Sequence, residues 1–539
     1  MALELRPYIT MLAPMKGNAR MTTAGEEGRW RVDAPASTCD RVLSPGVVFD
    51  EHALARSLRV SFRRGVASCD HERVPRENGL TFRGRVLSLP ASVAVAEAAS
   101  ILLRATVTED ELAAAAIAAE GDGGLTALRD ALATWDRLGL LVRVVTSDVG
   151  PVASLEQMVP GCGGCLDVPL DEHPVRLSRF AYCRRQDDVT LLESPLSTAR
   201  MVLHMPCAAG ALVLLAGGAG HRNVAALMAQ ADVGQPQETA QALLGLLILA
   251  GLAEQPATDD GRLSEDDGHR ALWEFHDLLF HARSRLGPHD YPVGGTFRMR
   301  DSVPALPALP PRRDGCGVDL PRVDRAEPLT IEDSLTDVLE RRRSVRRHGR
   351  EPVSLHQLGE FLDRTARVRR VIARDEANGI AYEATERPYP SGGSTYDLEL
   401  YVVASRCAGL RPGVYHYEAD RHRLVTVSPP SRLSDAVLGE ARTAAGMTDS
   451  PQILIVVTSR FARVSWKYQA IAYALTLKAV GALYQTMYLT ATAMGLAPCA
   501  IGTGDAAVMA RILDTDYVTE SSVGEFLLGS SPANTYETA

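Results

Sequence analysis

Thirty residues near the end of the chain, Trp466 to Gly495, read W-K-Y-Q-A-I-A-Y-A-L-T-L-K-A-V-G-A-L-Y-Q-T-M-Y-L-T-A-T-A-M-G. Lys467 and Lys478 are the only charges, and most other positions are Ala, Leu, Thr, Tyr or Met. A helix that is apolar on every face is buried on every face, in a large core or in a membrane. Lys478 and Gln485 fall mid-way and the flanks lack membrane anchors, so the spacing predicts a core helix of a soluble domain. Gly495 ends it, with Pro498 three residues on. The rest of the domain has to pack around this rod.

Its first residues include Lys467-Tyr468, two protic side chains at the mouth of an apolar helix. Of the 57 basic residues only three are lysines, at positions 16, 467 and 478. A chain that writes Arg almost wherever a positive charge will do, yet keeps Lys467, points to a task for an amine. Guanidinium does not lose its proton in proteins, whereas a buried ammonium can. The structural alternative is a chance Lys at the start of a core helix.

A chain of 539 residues exceeds one hydrophobic core and should hold about three domains. Its 46% hydrophobic and 23% charged residues are those of a soluble globular protein. A net charge of −9 gives no footprint for nucleic acid or an anionic membrane. Met1–Trp30 lacks the basic-then-apolar pattern of a signal peptide, and Met21 opens a second plausible start. Nine scattered cysteines, an odd number, argue for a reducing cytoplasm.

Residues 1–41 read as a flexible tail. From 42 to 150, apolar runs around Val47 and Val60 precede a helix at Val93–Leu103, a second from Thr108-Glu109-Asp110-Glu111 and a third over Leu125–Leu138, before Leu140-Leu141-Val142. Three short helices followed by a strand are a winged-helix pattern. It recurs over 151–260, where Leu244 to Ala253 echoes Leu132 to Leu141 and Pro206 stands as Pro90 does. The stretch Arg104–Arg137 holds seven acids against three arginines, which excludes a phosphate-reading helix. A wing that accepts an extended peptide as an added strand fits better. Cys162-Gly-Gly-Cys165 lacks the four ligands of a structural zinc site, and Pro160-Gly161 argues for loop cysteines. His276 and His281, five apart, do not share a helical face, so no metal site is expected there or at His289. Residues 261–328 read as a helix within Trp273–Gly295 that ends at Gly287-Pro288 and a proline-rich linker, Ser302–Pro328, which leads to a last domain over 329–539.

That domain opens with a helix, Ser334–Arg343, running into R-R-R-S-V-R-R at Arg341–Arg347. Guanidiniums around a Ser hydroxyl make a phosphate clamp, and a solvated run at a helix C-terminus is the alternative. Pro388-Tyr-Pro-Ser-Gly-Gly-Ser394 then precedes the strand Leu398–Ala404, a turn whose backbone can approach a planar ligand closely. Gly502-Thr-Gly504 follows the long helix, and Glu525–Gly529 reads as a closing strand.

Together R-R-R-S-V-R-R, P-S-G-G-S-T-Y-D-L-E-L-Y-V-V, P-G-V-Y-H-Y, W-K-Y and G-A-L-Y-Q-T-M-Y-L-T-A-T-A-M-G-L resemble the flavin nitroreductase superfamily over about residues 330–530. More narrowly they look like its azoline dehydrogenase branch, which oxidises thiazoline and oxazoline rings in ribosomally made peptides. The N-terminal units are similar to the peptide-clamp domains of such pathways. The resemblance implies an α+β chain: a mixed sheet wrapped by helices, preceded by two tandem winged-helix-like domains. It implies FMN at a homodimer interface, with Arg342, Arg343, Ser344 and Arg346 at its phosphate. Pro390, Ser391, Gly392 and Gly393 match the turn along the flavin edge, Gln485 the helix glutamine and Gly502 the segment approaching the ring. Lys467 and Tyr468 match the branch's acid/base pair.

The chain departs from the pattern at Ile471 and Ala474, where arginines are usual, and at Ala482 and Thr486 around the glutamine. The implied partners are an azoline-containing precursor peptide, a cyclodehydratase and dioxygen as electron acceptor. Two other readings are an NAD(P)H-dependent nitro- or quinone reductase and a flavin-free scaffold that presents peptide to a partner.

Overall fold

The structure is a computed structural model that describes residues 58–64, 66–70, 78–82, 85–160, 174–256, 262–266, 268–322 and 334–532. The Cys162–Cys165 pair, the run around Val47 and the N-terminal tail lie outside the described residues. The chain divides into two compact units, Met1–Tyr291 and Pro292–Ala539.

In the first unit, α1 (Val93–Arg104) and α2 (Glu109–Arg137) stand close to where the periodicity puts helices. Thr108 and Glu111 close a capping box, which fixes the start of α2. What reads as two helices is one element kinked at Glu120 and Gly121, where Gly121 takes φ +61°. The kink turns the Glu120 carboxylate onto the N-terminus of α1, where it accepts from Ser92 Oγ (2.5 Å) and Val93 N (3.0 Å).

The strands β1 (Leu58–Phe62), β2 (Leu141–Ser147), β3 (Gly150–Gln157), β4 (Tyr182–Gln186), β5 (Val189–Glu193) and β6 (Ala199–Leu203) form one six-stranded sheet in the order β1-β2-β3-β6-β5-β4. The boundary expected at residue 150 falls inside the β2–β3 hairpin, and β3 pairs with β6, so both halves share this sheet. A second helix triplet, α3 (Pro206–Ala216), α4 (His221–Gln230) and α5 (Pro236–Leu249), follows it. The helix expected from Trp273 to Gly287-Pro288 is the shorter α6, Phe275–Arg283. His289 beyond it turns Nε2 to the Arg285 carbonyl (2.9 Å), a bond that requires the proton on that nitrogen. The following strap is tied to the sheet by Asp290, which receives Arg63 (2.7 Å) and Arg200 (3.0 Å).

The second unit is built on a seven-stranded sheet. Its strands are β7 (Gly317–Asp319), β8 (Leu398–Ala404), β9 (Gly413–Glu418), β10 (Arg423–Ser428), β11 (Ile453–Arg460), β12 (Leu496–Ile501) and β13 (Glu520–Ser530), in the order β7-β10-β9-β8-β11-β13-β12. A mixed sheet was expected, but every ladder is antiparallel, because β8, β9 and β10 follow one another as a meander. All seven residues of β8 are buried, since helices cover both faces. Leu398, Leu400 and Val402 point to a core with α8 (Leu355–Ala366) and α11 (Ala472–Ala493). Tyr401 and Val403 point to the opposite core with α9 (Arg432–Ala445) and α12 (Ala506–Leu513), the period-2 alternation of a strand.

The long apolar stretch is therefore not one helix. A single turn, α10 (Ala462–Ser465), precedes it, and α11 starts only at Ala472. Between them Gln469 exchanges both backbone bonds with Gly294 (2.9 and 3.2 Å), and Ala470 takes φ +64°. Those groups are thereby lost to the helical ladder. Nor is α11 buried all round: Leu483 and Met487 are fully buried, while Tyr473 is 46% and Leu477 38% exposed. Gly495, at φ +66°, closes the helix in the left-handed conformation that a glycine permits.

The proline-rich segment belongs to this unit rather than spacing it from its neighbour. Prolines leave it short of donors, and its carbonyls are taken up by side chains around α10. Trp466 Nε1 donates to Val303 (2.6 Å), Arg463 to Leu306 (2.6 Å) and Arg460 to Pro307 (3.0 Å). Burial and the neighbouring Arg460 pull the Arg463 guanidinium down to about 10.

Candidate active site

Two groups of residues flank α11. At its C-terminal end the arginine-rich segment leaves the helix α7 (Leu335–Arg341), shorter than the expected 334–343, and runs extended beside β12. Val345 N donates to Pro498 O (2.7 Å). Ser344 Oγ lies 2.7 Å from the Tyr488 hydroxyl, which also accepts from Ala500 N (2.8 Å). The Arg342 guanidinium sits over the same ring, 5.3 Å from its centre. Arg343 is half-buried and Arg346 exposed. Tyr488 is the shared prop of this segment.

At the other end, the Pro390–Gly393 turn meets Lys467 and Tyr468. Gly393 has φ +61°, and a Cβ on it would stand 2.6 Å from Lys467 Nζ and closer still to the Tyr468 hydroxyl, so a side chain there would be strained and would displace both groups. A Cβ on Gly392 would lie 3.2 Å from Leu475 of α11. Asp397, just past the turn, accepts from Ser459 (2.7 Å) and Thr476 (2.8 Å), which pins the turn to β11 and α11. Lys467 Nζ donates to Tyr382 Oη (2.7 Å) and lies 4.9, 5.1 and 5.7 Å from the ring centres of Tyr382, Tyr468 and Phe297. Phe297 N donates to the Lys467 carbonyl (3.0 Å), so the strap from 294 to 308 forms one wall.

Of the residues singled out in the sequence, Gly392 and Gly393 thus gather with Lys467 and Tyr468, and Arg342 and Ser344 with the far end of α11. From Leu475 to Tyr488 is 13 residues, about 20 Å of helix. Gln485 stands between the groups, exposed on α11. Gly502 follows β12, and a Cβ there would touch nothing within 4 Å. Sequence reasoning missed Tyr382 and Phe297, which sit in segments with no motif.

It also missed Glu525 on β13. This carboxyl is 7% exposed, and a Cβ on Gly504 would overlap it. Burial, with Glu440 adding to it, pushes its pKa up to about 7. A carboxyl raised on folding stabilises the fold fully below its unfolded value and loses that contribution as pH rises through 7. Glu525→Gln should therefore flatten the fall in stability between pH 5 and 8, a loss of order 2–3 kcal/mol in the parent, read as melting temperature against pH. Parallel melting curves for parent and variant would refute a proton on Glu525.

A nitroreductase family model matches residues 339–529. The second unit carries a nitroreductase-family domain. A model for the cyanobactin oxidase ThcOx matches residues 175–290, and the protein is an oxidoreductase. The chain is similar to the candidate nitroreductase MJ1384 of Methanocaldococcus jannaschii, 29% identical over 179 residues, which is 32% of this chain and 81% of the relative. The trifolitoxin-processing protein TfxB of Rhizobium leguminosarum bv. trifolii is 27% identical over 150 residues, 27% of this chain and 40% of the relative, so less than half of that relative's length is spanned. Among solved structures, the E. coli microcin synthetase McbBCD complex with truncated pro-MccB17 aligns at 18% identity and a TM-score of 0.30, covering 48% of this chain and 92% of that one. The chain resembles the azoline dehydrogenases of the nitroreductase superfamily. Among the described residues no helix is long and apolar enough to cross a membrane.

Proposed function

We propose that this protein oxidises thiazoline or oxazoline rings in a ribosomally made peptide to thiazoles or oxazoles. The observation that carries the reading is the convergence of Lys467 and Tyr468 on the Gly393 turn, in a chain whose residues 175–290 match the cyanobactin oxidase ThcOx.

The cofactor of this reading is FMN, and the residues present fit it. Arg342, Arg343, Ser344 and Arg346 offer charge-assisted donors to a phosphate. Pro390, Ser391, Gly392 and Gly393 offer a turn with little side-chain bulk, and the space around Gly502 is open. When bound, FMN supplies the acceptor for a hydride, with dioxygen as the terminal oxidant. The chain's own part is proton handling and orientation. The ring's Cα–H, acidified by the adjacent C=N and carbonyl, gives its proton to Lys467 or Tyr468, and the neighbouring carbon gives up a hydride. One proton and one hydride leave, so the product is two hydrogens lighter and aromatic.

The exposed apolar face of α11, between the two residue groups, serves in this reading as the contact with a second copy. Each flavin site is then completed across the dimer, with Gln485 at the seam. The two helix triplets of the first unit act as winged-helix-like clamps for the precursor peptide, and β4, an edge of the sheet, takes it as an added strand. A cyclodehydratase supplies the azoline in the cytoplasm.

The test is one preparation of the full chain with three readouts: a flavin absorbance, a sedimentation mass of two chains, and a two-hydrogen mass loss from a cyclised peptide. A flavin-loaded protein that leaves the azoline mass unchanged, yet turns over NAD(P)H with a quinone, would overturn the assignment.

A further inference from the structure

Lys467 is held by a residue that no motif marks. Tyr382 lies just before the short strand Ala384–Glu386, and its hydroxyl touches two things, the Lys467 amine at 2.7 Å and the carbonyl oxygen of Gly393. A phenol has one proton to donate. A carbonyl only accepts, so that proton goes to Gly393, and the lone pairs of Tyr382 Oη face Lys467. The amine must therefore be the donor in its bond to Tyr382. Burial raises the Tyr382 phenol above its ordinary range, which keeps the proton this arrangement needs.

The ring itself is fixed from both sides. It meets Trp466 edge-on at 6.1 Å, and the Arg463 guanidinium stands 5.9 Å from its centre. Arg463 in turn donates to the carbonyls of Thr395 (2.7 Å), Glu383 (2.9 Å) and Leu306 (2.6 Å), joining the turn, the Tyr382 segment and the strap. Lysine's four-carbon stem is flexible, and an unheld amine samples many rotamers. Here one N–H direction is committed to Tyr382, and the three rings limit where the remaining valences point.

We propose that Tyr382 is the positioning residue of the active site: it fixes Lys467 Nζ against the Gly393 turn by accepting one of its hydrogens. The inference deepens the proposed function and rests on Lys467 acting there, so its test has to stand apart from turnover. The chain's three lysines make that possible. Full-length protein, with and without FMN, is treated with acetic anhydride at a series of pH values, and acetylation of Lys467 and Lys478 is read by peptide mass spectrometry. Tyr382→Phe removes one oxygen and keeps the ring. In that variant Lys467 should acetylate several-fold faster at pH 8, its nitrogen no longer tied, while exposed Lys478 reacts at the parent rate and so reports an intact fold. Loss of the contact that holds Nζ in place should also cost about 10- to 100-fold in azoline turnover.

Equal acetylation of Lys467 in parent and variant, with Lys478 unchanged, overturns the proposal whatever the turnover. Should Lys478 also change, a Tyr382→Trp variant retains aromatic packing without the hydroxyl, and parental Lys467 acetylation in it overturns the proposal equally. Faster acetylation in a protein that oxidises no azoline supports the positioning role and removes the azoline reading instead.

Discussion

If Lys467 is the base of the proposed reaction, Lys467→Ala should keep the fold and lose turnover by about a hundred- to ten-thousand-fold, the usual cost of removing a general base. The site explains why the more conservative Lys467→Arg should fare little better. Nζ is boxed by the rings of Phe297, Tyr382 and Tyr468, and the backbone turn at Gly393 comes so close that even a methyl there would strike the amine. A planar guanidinium is bulkier than the ammonium these rings surround, and it cannot release a proton at working pH. Because size and basicity fail together in the arginine variant, a third measurement separates them. Added alkylamines should restore part of the turnover of Lys467→Ala, with a pH dependence that follows the amine supplied. Full turnover in Lys467→Arg, or no rescue by any amine beside a dead Tyr468→Phe, would move the proton to Tyr468.

The sequence made these two residues visible for a compositional reason. In a chain with three lysines, one beside a tyrosine at the head of an apolar stretch stands out. The glycine turn was equally legible, because Pro-Ser-Gly-Gly before a strand has few structural meanings. The start of α11 was not. Apolar periodicity runs unbroken through residues 466–471, and what stops the helix is Gln469 pairing with Gly294, a partner more than 170 residues earlier. Tyr382 and Phe297 were illegible for the same reason, since their neighbours are set by tertiary contacts that local spacing does not record. The shared six-stranded sheet of the first unit was hidden too. Two repeats of three helices and a strand suggest two modules, and only the pairing of 141–147 with 150–157 across the expected boundary, and of 150–157 with 199–203, shows a common sheet.

The proline-rich segment leads to the other large effect, a difference between two truncations. Its composition suggests a spacer that can be cut away, and a deletion of residues 1–310 would follow from that view. The structure argues for a cut nearer residue 291, where the compact units divide. Removing 1–310 takes Phe297 from Lys467 and Gly294 from Gln469, and strips acceptors from three buried donors, Arg460, Arg463 and Trp466. Leaving a buried donor unsatisfied costs about 1–3 kcal/mol, more where it is charged. Three together approach the whole stability of an ordinary domain, about 5–15 kcal/mol. The shorter protein should therefore melt at least about 10 °C lower than one starting at Pro292, or fail to fold. The longer one should retain flavin and oxidise a small azoline within a few-fold of the full chain, while losing affinity for the complete precursor peptide. Two truncations with equal melting temperatures and equal turnover would show that the strap is a spacer after all, and that Lys467 is held without it.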